Sequence, residues 1–202
     1  MSTQYTKEQL LEFIEQLFKE VYHAHNKLNL AIYLQNKCVD NIDLVKITET
    51  YFTLTLNALN NDFLIQIAKL FDSHRGSYGT MFKLLNLIEA NHHLFAIENL
   101  NTQVNAQRKV FKEDYQKPIE NVKIWRNKLY AHSDKPYFLD KDRPDLVEEA
   151  RFSYDDLLNL LQWATETINY YNQLLDGSKY VLHNPDVKKD VDKLFEALSM
   201  YN

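Results

Sequence analysis

Apolar positions along this chain recur with the period of an α-helix. Behind Thr6, the residues Leu10, Ile14, Leu17, Val21, Ala24 and Leu28 alternate spacings of four and three, one stripe of a long helix. Thr6 followed by Gln9 has the form of a capping box, so the helix is predicted to start there and to run to about Asn36. The segment from Asp40 to Phe71 admits two readings. "TYFTLTLNAL" alternates at Phe52, Leu54 and Leu56 and is rich in β-branched residues, as a strand would be. Leu44, Ile47, Tyr51, Leu54 and Ala58 also keep the helical spacing, and no Gly or Pro interrupts the chain from Val39 to Arg75. The prediction is one long helix.

"DSHRGSYG", Asp72 to Gly79, has loop composition. A short helix carrying Met81, Leu84, Leu85 and Ile88 follows, then a connection over Asn91 to Asn101. The next helix is predicted from about Thr102 to about Ala131, bent or broken at Pro118, with Ile119, Val122, Trp125 and Leu129 on its apolar face. "SDKPYFLDKDRPD" reads as a loop. Ser153 with Asp156 caps a further helix through Leu157, Leu161, Ala164, Ile168, Tyr171 and Leu175, and Gly177 is placed to stop it. Asn184 and Pro185 start a last helix with Val187, Val191, Leu194, Phe195 and Leu198. The expected fold is all-α, an antiparallel helical bundle of about six helices. It is expected to form one domain over residues 1–202, with the helix at about 185–201 as an extension.

Composition agrees with this. Three glycines and four prolines in 202 residues are too few for the turns of an all-β fold. The single cysteine, Cys38, cannot form an internal disulfide, no apolar run approaches a membrane span, and the first residues hold no apolar signal-peptide core. A cytoplasmic protein away from membranes is expected. The net charge of −5 argues against bulk electrostatic binding of nucleic acid, but its distribution is uneven. Between Arg108 and Lys135 eight Lys/Arg face four Asp/Glu, a net of +4, so the remainder carries −9.

Most candidate chemistry reduces to ordinary structure. His23 and His25 lie two apart on different sides of a helix, and the adjacent His92 and His93 also face apart, so neither pair shares a metal as an i,i+4 pair can. No phosphate-cradling glycine loop is present, and the acidic residues from Asp140 to Asp156 read as a solvated loop and helix start. No metal and no cofactor are expected. Tyr170 and Tyr171 suit a core or a dimer interface.

"IWRNKLYAHSDK", Ile124 to Lys135, is different. Metal-independent cleavage of a phosphodiester needs a group that moves protons near neutral pH and a fixed cation for the phosphate. Histidine suits the first role and the planar fork of arginine the second. RNA brings its own nucleophile in the 2′-hydroxyl. Arg126 and His132 supply both types, and a helix C-terminus at His132 favours the imidazolium. On an ideal helix, however, they lie roughly 120° apart around the axis and roughly 9 Å apart along it. They converge only if the last turn unwinds or if a second copy supplies the partner. On the residues alone the plainer reading is preferred: Arg126 a surface cation, His132 a helix-end residue.

The surroundings carry more. "RNKLYAHSD" resembles the signature of the HEPN superfamily, an Arg, a polar residue, variable positions and then His, with Arg126, Asn127 and His132 matching it. "AKLFDSHRGSYGTMFKLL", with its triplet Leu70, Phe71 and Asp72 before a Ser/Gly loop, resembles the AbiU-type branch found among abortive-infection proteins. The resemblance covers roughly residues 5–175.

It implies a helical bundle that dimerises through its motif helices and, in many members, a metal-independent endoribonuclease used as a toxin or antiviral effector. Arg126 would then bind the scissile phosphate, His132 act as general acid/base, and Asn127 orient one of them or contact RNA. Lys123, Lys128, Tyr130 and Lys135 would contact RNA. The implied partners are a second copy, an RNA substrate and an antitoxin or other defence-system protein. One branch is controlled by modification of a tyrosine two positions after the histidine; Asp134 stands there in this chain, so that control is not expected. Other members have lost catalysis, which leaves a non-catalytic RNA- or protein-binding module as the second reading, and a salt-bridged dimer seam as the third.

Overall fold

The computed structural model of the chain describes residues 4–74, 76–131, 145–182 and 186–200. Helix α1 spans Lys7–Asp40. It starts on the capping box the sequence marks: the Thr6 hydroxyl accepts from the Gln9 N–H at 3.3 Å, and the Gln9 side chain accepts from the Thr6 N–H at 2.9 Å. Its predicted stripe is buried throughout, joined by Phe13, Ala31, Leu34 and Cys38. The helix outruns its predicted end because Leu34 and Cys38 enter a second apolar cluster.

The predicted single helix over Asp40–Phe71 is two helices, α2 (Ile42–Ile47) and α3 (Glu49–Leu70). The breaks fall at Asn41 and Thr48, whose φ/ψ of −128/45 and −132/38 leave the helical region. At Asn41 the side-chain amide donates to the Lys37 carbonyl at 2.9 Å, sharing that acceptor with the Asn41 backbone N–H at 3.1 Å. The strand-like "TYFTLTLNAL" is helical. The residues with that spacing are not the buried ones: α3 buries Phe52, Phe63, Leu64, Ile67 and Ala68, while Tyr51 and Leu54, and Ile47 on α2, are exposed. The two phenylalanines decide this, since burying large aromatic rings gains more than burying the opposite stripe.

After a loop, α4 (Met81–Ala90) starts at Thr80, whose hydroxyl accepts from the Lys83 N–H at 3.0 Å. The connection predicted over Asn91–Asn101 contains one 3₁₀ turn, His92–Leu94, and α5 follows at Leu100–Val110. The helix then widens into a π-type turn at Phe111–Tyr115 before α6 (Gln116–Trp125). Pro118 lacks the N–H that would bond the Asp114 carbonyl, and its ring crowds that carbonyl. A widened turn placed over Asp114 accommodates both effects, so the predicted break is an expansion instead. A second π-type turn, Arg126–Ala131, continues α6.

A short helix, α7 (Leu146–Glu149), is capped by the Asp145 carboxylate, which accepts from the Val147 N–H at 2.8 Å. Helix α8 (Tyr154–Asp176) begins on the Ser153/Asp156 capping box and stops at Gly177. Gly177 takes φ 73°, the left-handed cap that glycine adopts without strain. The predicted start of the last helix at Asn184 and Pro185 lies outside the described residues; α9 runs Val187–Ser199.

The structure is an all-α helical bundle, as the sequence predicts, with no strand among the described residues. Its main core joins α1, the second half of α3, α4, α5, α6 and α8. A smaller cluster of Leu34, Cys38, Val45, Phe52, Val191 and Phe195 fastens α9 across α1, α2 and α3.

Candidate functional site

The segment from Asn121 to Ala131 is held on three sides. Ile119 and Val122 are buried in the main core. On a second side the Asn121 amide donates to the Arg151 carbonyl at 2.6 Å, and the Trp125 indole N–H donates to the Ala150 carbonyl at 2.9 Å. Trp125 also meets Phe152 edge-on at 5.7 Å between ring centres. One turn further, the Lys128 ammonium pairs with the Glu149 carboxylate. These contacts fix the helix against α7 and the start of α8.

The third side carries charge. Lys123 and Arg126, three positions apart, project from neighbouring points on one face. Both act electrostatically on Asp72, just past the end of α3. The Ser77 hydroxyl donates to the Asp72 carboxylate at 2.7 Å, and the His74 N–H donates to it at 3.1 Å. Those bonds, with the positive charges of Lys123 and Arg126, hold the Asp72 carboxyl below the usual carboxylate range against a smaller opposing effect of burial. Lys123 is half-buried, and that burial pushes its ammonium pKa down; Arg126 adds to the effect while Asp72 and Glu120 oppose it. An arriving phosphate would favour the charged form of Lys123 and meet the guanidinium beside it.

Arg126 is oriented by its neighbour in the chain. Its Nε donates to the Asn127 Oδ1 at 3.0 Å, and a terminal nitrogen donates to the same oxygen at 2.8 Å. The π-type turn begins at Arg126, so the projection of an ideal α-helix does not hold beyond it.

The structure thus brings Lys123, Arg126 and Asn127 to one region. It turns Lys128 toward Glu149, where its charge is compensated. Tyr130 lies within the widened turn, and His132 and Lys135 lie outside the described residues. Asp72 and Glu149 were missed as site neighbours. The Leu70–Phe71–Asp72 triplet pointed at Asp72, and an Asp ahead of a Ser/Gly loop is itself a turn signal. Glu149 reaches Lys128 from 21 positions away and carries no local mark.

Beside the segment, a cavity of about 490 Å³ opens between α3, α6 and the start of α8, walled by Phe63, Trp125, Phe152 and Tyr154 with Asn60 and Arg151 among its polar groups. Among the described residues no three His, Cys, Asp or Glu side chains gather as a metal site, and no helix is long and apolar enough to cross a membrane.

Comparison with known families matches residues 7–194 to a HEPN family model described as AbiU2. No curated protein and no solved structure matches the chain.

Proposed function

We propose, from the premise that the chain belongs to the AbiU2 family of HEPN domains, a family associated with abortive infection, that it is a metal-independent endoribonuclease. It acts in a bacterial toxin or phage-defence system and cleaves RNA through the 2′-hydroxyl, at a composite site between two copies. The observation that carries the reading is the Arg126 guanidinium. It is oriented by Asn127 within a π-type turn and lies one turn from a half-buried Lys123. Such turns are frequent at functional sites because the extra residue re-aims the side chains around it. Arg126 takes the scissile phosphate, Lys123 adds a second positive charge, and Asn127 keeps the guanidinium in place. His132, by the family motif, exchanges protons with the 2′-hydroxyl and the leaving oxygen. A second copy supplies the approach that one helix end lacks.

The test is RNA cleavage by the purified full chain in EDTA, beside His132→Ala and Arg126→Ala. Wild type is expected to cut RNA and to spare a strand carrying 2′-deoxyribose at the cleaved position. Loss of the general acid/base should slow cleavage by about 10²–10⁴. A wild type that cuts no RNA, or a His132→Ala variant as fast as wild type, would end the catalytic reading.

A further inference from the structure

The cavity beside the motif segment combines aromatic walls with hydrogen-bond donors that the fold leaves unused. Its volume of about 490 Å³ is ordinary for a pocket that takes one small group. Two ring pairs wall it: Trp125 with Phe152 at 5.7 Å between centres, and Phe63 with Tyr154 at 6.3 Å. The rings of each pair meet edge-on, so neither pair is stacked face to face. The Tyr154 hydroxyl lies 3.0 Å from the Gln35 Oε1 and 3.4 Å from the Asn60 Oδ1, so the oxygen end of the Asn60 amide has a donor. Among the described residues, the Asn60 amide N–H groups and the exposed Arg151 guanidinium meet no acceptor. The Arg151 backbone is held meanwhile, its carbonyl accepting from Asn121 at 2.6 Å.

This lining selects its occupant. Aromatic walls favour a planar π-system. Donors without acceptors favour a group with acceptor atoms, which every nucleobase carries on its edge. Among the described residues no carboxylate lines the cavity, and Arg151 brings positive charge to it. That disfavours a cationic group and suits one attached to a phosphate backbone. Position agrees: Trp125 precedes Arg126 in the chain, so a wall of the cavity and the guanidinium assigned to the phosphate come from consecutive residues, with Cα atoms about 3.8 Å apart.

We infer that the cavity between Phe63, Trp125, Phe152 and Tyr154 receives one base of an RNA strand whose phosphate lies on Arg126. The inference rests on the RNA-directed reading of that segment and adds a base-binding subsite to it. Phe152 stacks on the base, and Arg151 and Asn60 donate to its edge.

The experiment measures binding of the full chain, at fixed salt, to a 2′-O-methyl oligoribonucleotide, which offers no 2′-hydroxyl to attack, and to the same sugar–phosphate strand without bases. Wild type should bind the base-bearing strand about tenfold to a hundredfold more tightly. Phe152→Ala and Arg151→Met should each remove most of that ratio. Should Phe152→Ala melt early, Arg151→Met carries the test, because the side chain it alters is exposed. A guanidinium acting only as surface charge would weaken both strands alike and leave the ratio intact. That result, equal affinity of wild type for the two strands, or a folded Phe152→Ala with the wild-type ratio would overturn the subsite. A Phe152→Ala chain of lower assembled mass and unchanged ratio would give the cavity to a second copy and overturn it too. The probe is not cleaved, so the two readings fail separately. Base-dependent binding by a chain that cuts no RNA would end the catalytic reading alone, and cleavage without base-dependent binding would end the subsite alone.

Discussion

Arg126 leans on Asn127: the Nε and one terminal nitrogen of the guanidinium converge on a single Asn127 oxygen, at 3.0 and 2.8 Å. One edge of the fork is thereby occupied, and the N–H groups of the other edge are left to take two phosphate oxygens. Asn127→Ala keeps the positive charge but frees it to rotate. It is expected to lower single-turnover cleavage roughly tenfold to a hundredfold, a positioning loss. Arg126→Ala, which removes the charge itself, should cost about 10²–10³. RNA affinity at fixed salt should fall for Arg126→Ala and stay near wild type for Asn127→Ala. Equal cleavage by Asn127→Ala and wild type would remove Asn127 from the site.

Asp72 gives a dependence on pH. Its carboxyl is held low first by the Ser77 hydroxyl, then by the His74 N–H and the charges of Lys123 and Arg126. A carboxyl depressed in the folded chain stabilises it above the ordinary aspartate pKa of about 3.9, and that contribution is lost as pH falls through the lower folded value. Ser77→Ala removes the strongest bond. The Asp72 titration followed by NMR should move up toward the ordinary value, and the stability gap between wild type and variant should be present at neutral pH and close in acid. An unmoved Asp72 titration would show that Ser77 does not set it.

The elements most legible in the sequence are those specified by neighbours in the chain. The α1 stripe, the Thr6/Gln9 and Ser153/Asp156 boxes and the Gly177 stop all appear where local spacing put them. What stayed hidden depends on distant partners. The apolar spacing of α3 was read correctly as helical, yet its buried face is set by Phe52 and Phe63 meeting other elements, which spacing alone does not report. The break at Asn41 lies in its backbone, which leaves the helical region at φ/ψ −128/45 with no Gly or Pro to mark it. At the candidate site the motif singles out Arg126 and Asn127, and the structure shows the two side chains hydrogen-bonded to each other. The pairing of Lys128 with Glu149 carries no local mark, because the two stand 21 positions apart in the chain.

The attachment of α9 is expected to behave as a separable part of the stability. Phe52 stacks on Phe195 at 5.3 Å, and Asp192 accepts from the Tyr33 hydroxyl at 2.8 Å and pairs with Lys37 at 2.6 Å. The salt bridge is substantially exposed and contributes little, so the ring carries the contact. Phe195→Ala should cost about 3 kcal/mol, near the low end for a phenylalanine because the cluster is small. Hydrogen exchange should quicken in α9 and the first half of α3 while Leu10 to Leu28 of α1 stay protected. Uniform loss of protection would show that α9 and the main core unfold as one unit.

Gln107 on α5 ties that helix to α8 through two donors: its side-chain oxygen accepts from the Trp163 indole N–H at 2.9 Å and from the Thr167 hydroxyl at 3.0 Å. Trp163 and Thr167 are 7 and 1% exposed, so water does not readily replace Gln107. Gln107→Leu would strand both donors, but their costs differ. The Thr167 hydroxyl can turn back to the carbonyl four residues earlier, as Thr165 already does to Leu161 at 2.9 Å. The indole N–H has no such recourse. The expected loss is therefore about 2 kcal/mol, mostly from Trp163. Adding Trp163→Phe should cost less on the Gln107→Leu background than on wild type, because the stranded donor has gone. Denaturant unfolding of the four proteins measures this coupling, and strictly additive losses would mean that the Gln107–Trp163 bond contributes nothing to holding α5 on α8.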